Sequence, residues 1–167
     1  SEIINQLKKT QLIYEAEGSS ANVVVRKEAD GTITLRINGK ADASTGADME
    51  NQLLLGHLPM LLHRDPHNVL VVGMGSGITL GSVLSHDVAH VDAIEIEEKV
   101  VEAAKFFNEY SNNALDDPRV KLIVGDGRRY LFGKTNPSTL LRQAQDRSGP
   151  SASLQKLHAS LNLSLLL

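Results

Sequence analysis

The alternation of apolar and polar positions gives the chain three textures. In the first, Asn22 to Lys27 is a β-branched run and Thr32 to Ile37 alternates Thr-Ile-Thr-Leu-Arg-Ile, with the turn signal Ala29-Asp30-Gly31 between them. That pattern predicts a hairpin. Gln11 to Tyr14 adds a short strand, Gly18-Ser19-Ser20 a turn, and Asn38-Gly39 a stop, after which 41–47 reads as a loop of small and polar residues. Two or three antiparallel strands are marginal alone, so this unit should pack on the next part of the chain or on a second copy. The second texture opens with a helix over about Met49 to His63, capped by Asp48, with Leu54, Leu55, Leu58, Leu61 and Leu62 on one apolar face. Pro59 should kink or interrupt it, and Asp65-Pro66 ends it.

Three short apolar runs follow, Val69–Val72, Val91–Ile96 and Val120–Val124. Each is too short for a helix and reads as a strand buried on both faces of a parallel sheet. The segments between them are helical: Ile78 to Leu84, then Glu97 to Tyr110 with Val100, Val101, Ala104 and Phe107 at core spacing. Asn112 to Pro118 is a loop, and Arg128 to Phe132 opens a further helix. The third texture begins after Gly133. It is polar and low in complexity, holds one acid, Asp146, and shows no strand-like run. Two helical patches are predicted in it, Ser138 to Arg147 and Ser153 to Leu166, the second with Leu154, Leu157, Leu161 and Leu165 along one side. The predicted units are therefore 1–47, a small β-hairpin unit; 48–133, a partial α/β domain; and 134–167, a divergent tail.

The candidate chemistry lies at the ends of the three strands. The first runs into Gly73-Met-Gly75-Ser76-Gly77. A turn so rich in glycine lets its backbone approach a ligand without a Cβ in the way, and the helix after it would aim its first N–H groups at the same place. Such a turn also serves as a plain strand-to-helix connector. The second strand carries Glu95 and Ile96 at its end, where an acid can accept from a ribose diol. The third ends in Gly125-Asp126-Gly127. All three ends fall on the sheet edge where open α/β sheets bind ligands. The dinucleotide pattern would need glycine at 78, which is Ile78 here. Gly-x-Gly-x-Gly followed by an acid after each of the next two strands resembles the class I S-adenosylmethionine fold instead, a Rossmann-like parallel sheet that is incomplete here.

Charge and composition exclude more than they assign. A net charge of −3 gives no reason to expect nucleic acid or an anionic membrane as partner. No cysteine is present, which removes disulfides and thiolate metal sites. The first ten residues are mixed and polar rather than leader-like, and no apolar run reaches the ~20 residues of a membrane helix, so a cytoplasmic protein is expected. No metal site is predicted. His63 and His67 have Pro66 between them and read as loop histidines; His57 reads as a helix-surface or half-buried residue; Asp116-Asp117 before Pro118 reads as turn chemistry.

Longer stretches carry a more specific resemblance. These are Leu-Arg-Ile-Asn-Gly-Lys-Ala-Asp-Ala-Ser-Thr-Gly at 35–46, Gln-Leu-Leu-Leu-Gly-His-Leu-Pro at 52–59, the glycine turn, Asp-Asp-Pro-Arg-Val at 116–120 and Gly-Asp-Gly-Arg at 125–128. Together they resemble the spermidine synthase, or polyamine aminopropyltransferase, family, and most of all its bacterial branch often fused to transporter-like membrane segments. The resemblance implies aminopropyl transfer from decarboxylated S-adenosylmethionine to a polyamine, with no metal. It implies a nucleoside site made of Gly73, Gly75, Ser76, Gly77, Glu95, Ile96, Asp126 and Gly127, with Asp48 and Gln52 at the substrate mouth, and a homo-oligomer. Three departures stand out. Ser76 occupies a place where the family commonly has an acid, Asn51-Gln52 replaces Tyr-His or Tyr-Gln, and the catalytic aspartate expected after a fourth strand has no counterpart. A methyltransferase on the same fold, using S-adenosylmethionine, and a non-enzymatic oligomeric fragment are the alternatives.

Overall fold

The computed structural model describes residues 10–135 and the strand at 164–166. The front of the chain is a four-stranded antiparallel meander: β1 (Gln11–Glu17), β2 (Asn22–Lys27), β3 (Ile33–Ile37) and β4 (Lys40–Ser44), ordered β1-β2-β3-β4. β4 corrects the expected loop at 41–47. Asn38 and Gly39 close β3 at Ile37 as expected; both take positive φ, 49° and 80°, and turn the chain back as a hairpin. Val23 pairs with Ile37 across β2 and β3, and Leu35 with Ala43 across β3 and β4. Ala43 is the one buried residue of β4, so that strand carries no apolar alternation to read.

The rest is α/β. Helix α1 (Met49–Leu62) leads into β5 (Asn68–Val72), α2 (Ile78–Leu84), β6 (His90–Glu95) and α3 (Glu98–Ala104). A 3-10 turn at Lys105–Phe107 then joins α3 to the short α4 (Asn108–Ser111). β7 (Val120–Val124) and α5 (Gly127–Thr135) follow, and β8 (Ser164–Leu166) is the fourth strand of the sheet among the described residues. All pairings are parallel, in the order β7-β6-β5-β8. β8 corrects two expectations: a strand does follow Val124, and Leu165 lies in it rather than on a helical stripe. The residues at 138–147 and 153–163 lie outside the described residues.

Helix α1 corrects a third. Its five leucines do not face the core; Leu61 is 70% exposed and Leu62 83%. The inward line is Met49, Leu53, Gly56 and Met60, with Gly56 and Met60 buried. Gly56 decides this: a Cβ there would stand 2.5 Å from the Ser82 Cβ and 2.7 Å from the Thr79 carbonyl, so only glycine allows α1 to lie this close on α2. A helix apolar on nearly every side has no face that its pattern can select. Pro59 does not interrupt it, because proline removes one bond and the helix continues, His63 N–H donating to the Pro59 carbonyl at 2.9 Å.

Two apolar clusters hold these layers. Val69, Val71, Val91 and Ala93 pack with Leu80, Val83 and Ala104 between the parallel sheet and its helices. Val23, Val25, Leu35 and Ala43 of the meander pack on Ile78, Val100, Ala103 and Phe107. Each Val, Leu, Ile or Phe among them, fully buried, contributes about 1.5–3 kcal/mol. The meander thus packs on the α/β unit of its own chain, chiefly over α3 and the turn that follows it, with Ile78 of α2 beside them.

Candidate functional site

The ends of three strands are stitched along one edge. Gly73 N–H donates to the Ile94 carbonyl at 2.9 Å, and Gly125 N–H to the Glu95 carbonyl at 2.8 Å. With β8 on the far side of β5, strand connections run away from β5 in opposite directions, which makes its carboxyl end the switch point of the sheet. The glycine turn sits there. Gly73, Gly75 and Gly77 have φ of 80°, 53° and 82°, a region that other residues rarely enter. A Cβ on Gly73 or Gly75 would meet nothing within 4 Å, so space is open over that part of the turn, whereas Gly77 faces Ser111.

Glu95 is buried behind the turn, 7% exposed. Its Oε2 accepts from the Met74 N–H at 3.0 Å and the Gly75 N–H at 3.3 Å, and Oε1 accepts from the Glu97 N–H at 3.1 Å. A carboxylate has about four acceptor positions, and these bonds fill three of them. Ile96 follows on the same edge and is 58% exposed. Asp126 is exposed at the next strand end, where its Oδ1 caps α5 through the Arg129 N–H at 2.9 Å. Gly127 packs on Val72; a Cβ there would lie 2.5 Å from Val72 Cγ1.

The end of β4 and the start of α1 meet the turn from another side. Asp48 precedes α1, but its side chain does not cap the helix as expected. It turns back to β4, accepting from the Ser44 N–H at 3.1 Å and from the Ser44 hydroxyl. Gln52 Nε2 donates to the Ser44 carbonyl at 2.8 Å and to Asp48 Oδ2 at 3.1 Å, and the Ser76 hydroxyl donates to Gln52 Oε1 at 2.6 Å. Ser76 therefore faces inward, 2% exposed. The structure brings Asp48, Gln52, Ser76, the three glycines, Glu95 and Ile96 into one region and puts Asp126 and Gly127 at the neighbouring strand end.

Glu97 was not legible as part of this edge. It accepts from the Ser20 N–H and hydroxyl, both at 2.8 Å, and from the Lys99 N–H at 3.2 Å. These bonds, chiefly those from Ser20, hold its carboxyl well below the usual range, at about 2. An acid one residue before a helix is a capping signal; its partner at Ser20 is distant in sequence.

The remaining candidates have structural partners. Asp117 takes the Arg119 guanidinium through both oxygens, at 2.9 and 2.7 Å, which lowers its carboxyl to about 2. Arg119 also donates to the Leu84 carbonyl at the end of α2, at 2.9 Å. His63 accepts from the Asp65 N–H, His67 pairs with the Asp65 carboxylate, and half-buried His57 shares a hydrogen bond with His86 at 2.9 Å. Among the described residues no three His, Cys, Asp or Glu side chains cluster as a metal site. No helix among them is long and apolar enough to cross a membrane.

A parallel sheet ordered in this way, with a glycine turn at its switch point and an acid bonded behind it, defines an α/β domain of the Rossmann-like kind. Residues 49–153 match the spermine/spermidine synthase domain, and the chain belongs to that family. It is 31% identical over 125 residues to the polyamine aminopropyltransferase of Archaeoglobus fulgidus, covering 75% of this chain and 46% of that one. To the Thermococcus kodakarensis polyamine aminopropyltransferase it is 38% identical over 126 residues, covering 71% and 40%. The crystal structure of a spermidine synthase in complex with the transition-state analogue AdoDATO superimposes with a TM-score of 0.67 at 28% identity, covering 72% of this chain and 42% of that one. The spermidine synthase of Thermotoga maritima superimposes with the same score. The chain spans less than half the length of these relatives.

Proposed function

We propose that this chain provides the nucleoside-binding half of an aminopropyltransferase, the substrates being decarboxylated S-adenosylmethionine and a polyamine amine. The observation that carries this reading is the open space over Gly73 and Gly75, backed by Glu95 and walled by Asp48 and Gln52. In it the remaining acceptor position of Glu95 takes a ribose hydroxyl, exposed Ile96 offers an apolar surface to the base, and Asp126 beside Gly127 accepts from its amino group. Asp48 attracts the cationic amine.

Turnover needs more. A primary amine, like Lys, has a pKa near 10.4, so at neutral pH it must lose a proton before it can attack the carbon next to the sulfonium. The acid expected for that task lies after the fourth strand. β8 occupies the fourth-strand place. Asp146, the one acid beyond Asp126, has none of the surroundings of that motif. The 167 residues therefore bind without transferring. Two measurements test this. Titration with 5′-methylthioadenosine is expected to show binding, and its absence overturns the nucleoside assignment. Mass spectrometry of the purified protein with decarboxylated S-adenosylmethionine and putrescine is expected to show no spermidine; product above a heat-killed control would place a base within these residues. The same titration with S-adenosylmethionine separates a methyltransferase, which would prefer it to the decarboxylated form.

A further inference from the structure

The glycine turn is held from two sides, and the second hold has a fixed direction. The Ser44 carbonyl and the Asp48 carboxylate can only accept, so the Gln52 amide nitrogen faces them, at 2.8 and 3.1 Å. Its oxygen must then face Ser76, and because that oxygen can only accept, the Ser76 hydroxyl is the donor, at 2.6 Å. The Ser76 oxygen in turn receives the Ile78 N–H at 3.3 Å. The main chain of Gln52 is engaged as well, its carbonyl accepting from the Thr79 hydroxyl at 2.9 Å. Asp48 is anchored by Ser44. An oriented run of hydrogen bonds thus leads from the end of β4 through Asp48 and Gln52 into the middle of the turn. Ser76 is 2% exposed, so water does not readily replace a lost partner.

A turn with three glycines gains little from its own side chains and loses much backbone freedom on ordering. Glu95 restrains it at the Met74 and Gly75 amides; Gln52 restrains it at Ser76, between Gly75 and Gly77. We propose that Gln52 is a positioning residue: its side chain carries the anchorage of Asp48 to the glycine turn and holds Gly75 and Gly77 in the left-handed shape that receives the nucleoside. This rests on the nucleoside-binding reading above and adds that Gln52 acts through Ser76 rather than through the ligand.

The test is a double-mutant cycle read by calorimetric titration with 5′-methylthioadenosine, on Asp48→Ala, Gln52→Leu and both together. Gln52→Leu is expected to weaken binding by on the order of tenfold, the cost of one lost hydrogen bond in a buried site. The double variant is expected to bind no more weakly than Gln52→Leu alone, because Asp48 acts through Gln52. Ser76→Ala removes the far end of the run with little change in volume and should reproduce the loss of binding. Without ligand, amide hydrogen exchange at Gly75 and Gly77 should speed up in Gln52→Leu and Ser76→Ala and stay unchanged at core amides such as Val71. Additive losses in the cycle, or unaltered exchange at the turn, overturn the proposal while leaving wild-type binding in place. Failure of the wild-type protein to bind overturns the nucleoside reading along with it.

Discussion

Glu95 and Glu97 are both buried at the end of β6, and their partners separate their roles. Glu95 bonds the turn, and in the proposed reading it takes a ribose hydroxyl. Glu95→Ala is expected to weaken binding of 5′-methylthioadenosine by about 1–3 kcal/mol, the cost of a hydrogen bond to a charged group together with a loosened turn. Equal affinities in calorimetry would remove Glu95 from the site. Glu97 instead fastens the β1–β2 turn to the start of α3. Its carboxyl is lowered to about 2 in the folded protein, below the usual value of about 4.3. A depressed carboxyl stabilises the fold above its unfolded pKa, and that contribution is lost as the pH falls toward the folded value. Melting temperature is therefore expected to drop between about pH 5 and about pH 2, and Glu97→Gln to flatten part of that drop. Asp117, also lowered to about 2 by Arg119, titrates in the same window and accounts for a remaining slope.

Among the elements, the crossing of α1 on α2 leaves no room for a side chain at Gly56. Gly56→Ala puts a methyl against Ser82 and the Thr79 carbonyl, and backbone does not yield as a flexible side chain does. Thermal unfolding should show a loss of about 1–3 kcal/mol, the usual penalty of overpacking. Because α1 also carries Asp48 and Gln52, the same variant should weaken nucleoside binding. Unchanged stability would mean that the helices separate without cost. Gly127→Ala meets only a side chain, Val72, and should be tolerated better.

In the whole molecule, the five leucines of α1 are exposed on the single chain, Leu54 at 50%, Leu55 at 53% and Leu58 at 49%, with Leu61 and Leu62 more open still. Isolated exposed leucines are ordinary, but five on one helix form a continuous apolar surface of the kind that marks an interface. The helix lies beside β8, which has β5 on one side and no other partner among the described residues. We expect these residues to self-associate at tens of micromolar, with Leu58→Glu and Leu61→Glu together shifting the protein toward monomer. Sedimentation velocity on the unmodified chain decides it: a monomer throughout that range would count against the interface.

What the sequence determined by itself was the set of strands and turns whose cause is local. β2, β3, β5, β6 and β7 announce themselves as short apolar runs, three of them closed directly by glycine or asparagine, and the glycine turn, Glu95 and Asp126 stand at successive strand ends. Tertiary structure decided what local pattern leaves degenerate. The exposed strand β4 has no apolar alternation and exists because Asn38 and Gly39 return the chain onto β3. The face that α1 buries was set by the absence of a side chain at Gly56, not by its leucines. β8, three residues in a polar tail, is a strand because the open side of β5 offers it a parallel partner. The bonds from Asp48 to Ser76 and from Glu97 to Ser20 join residues far apart in the chain, and spacing along a sequence carries no trace of which distant donor a buried oxygen will meet.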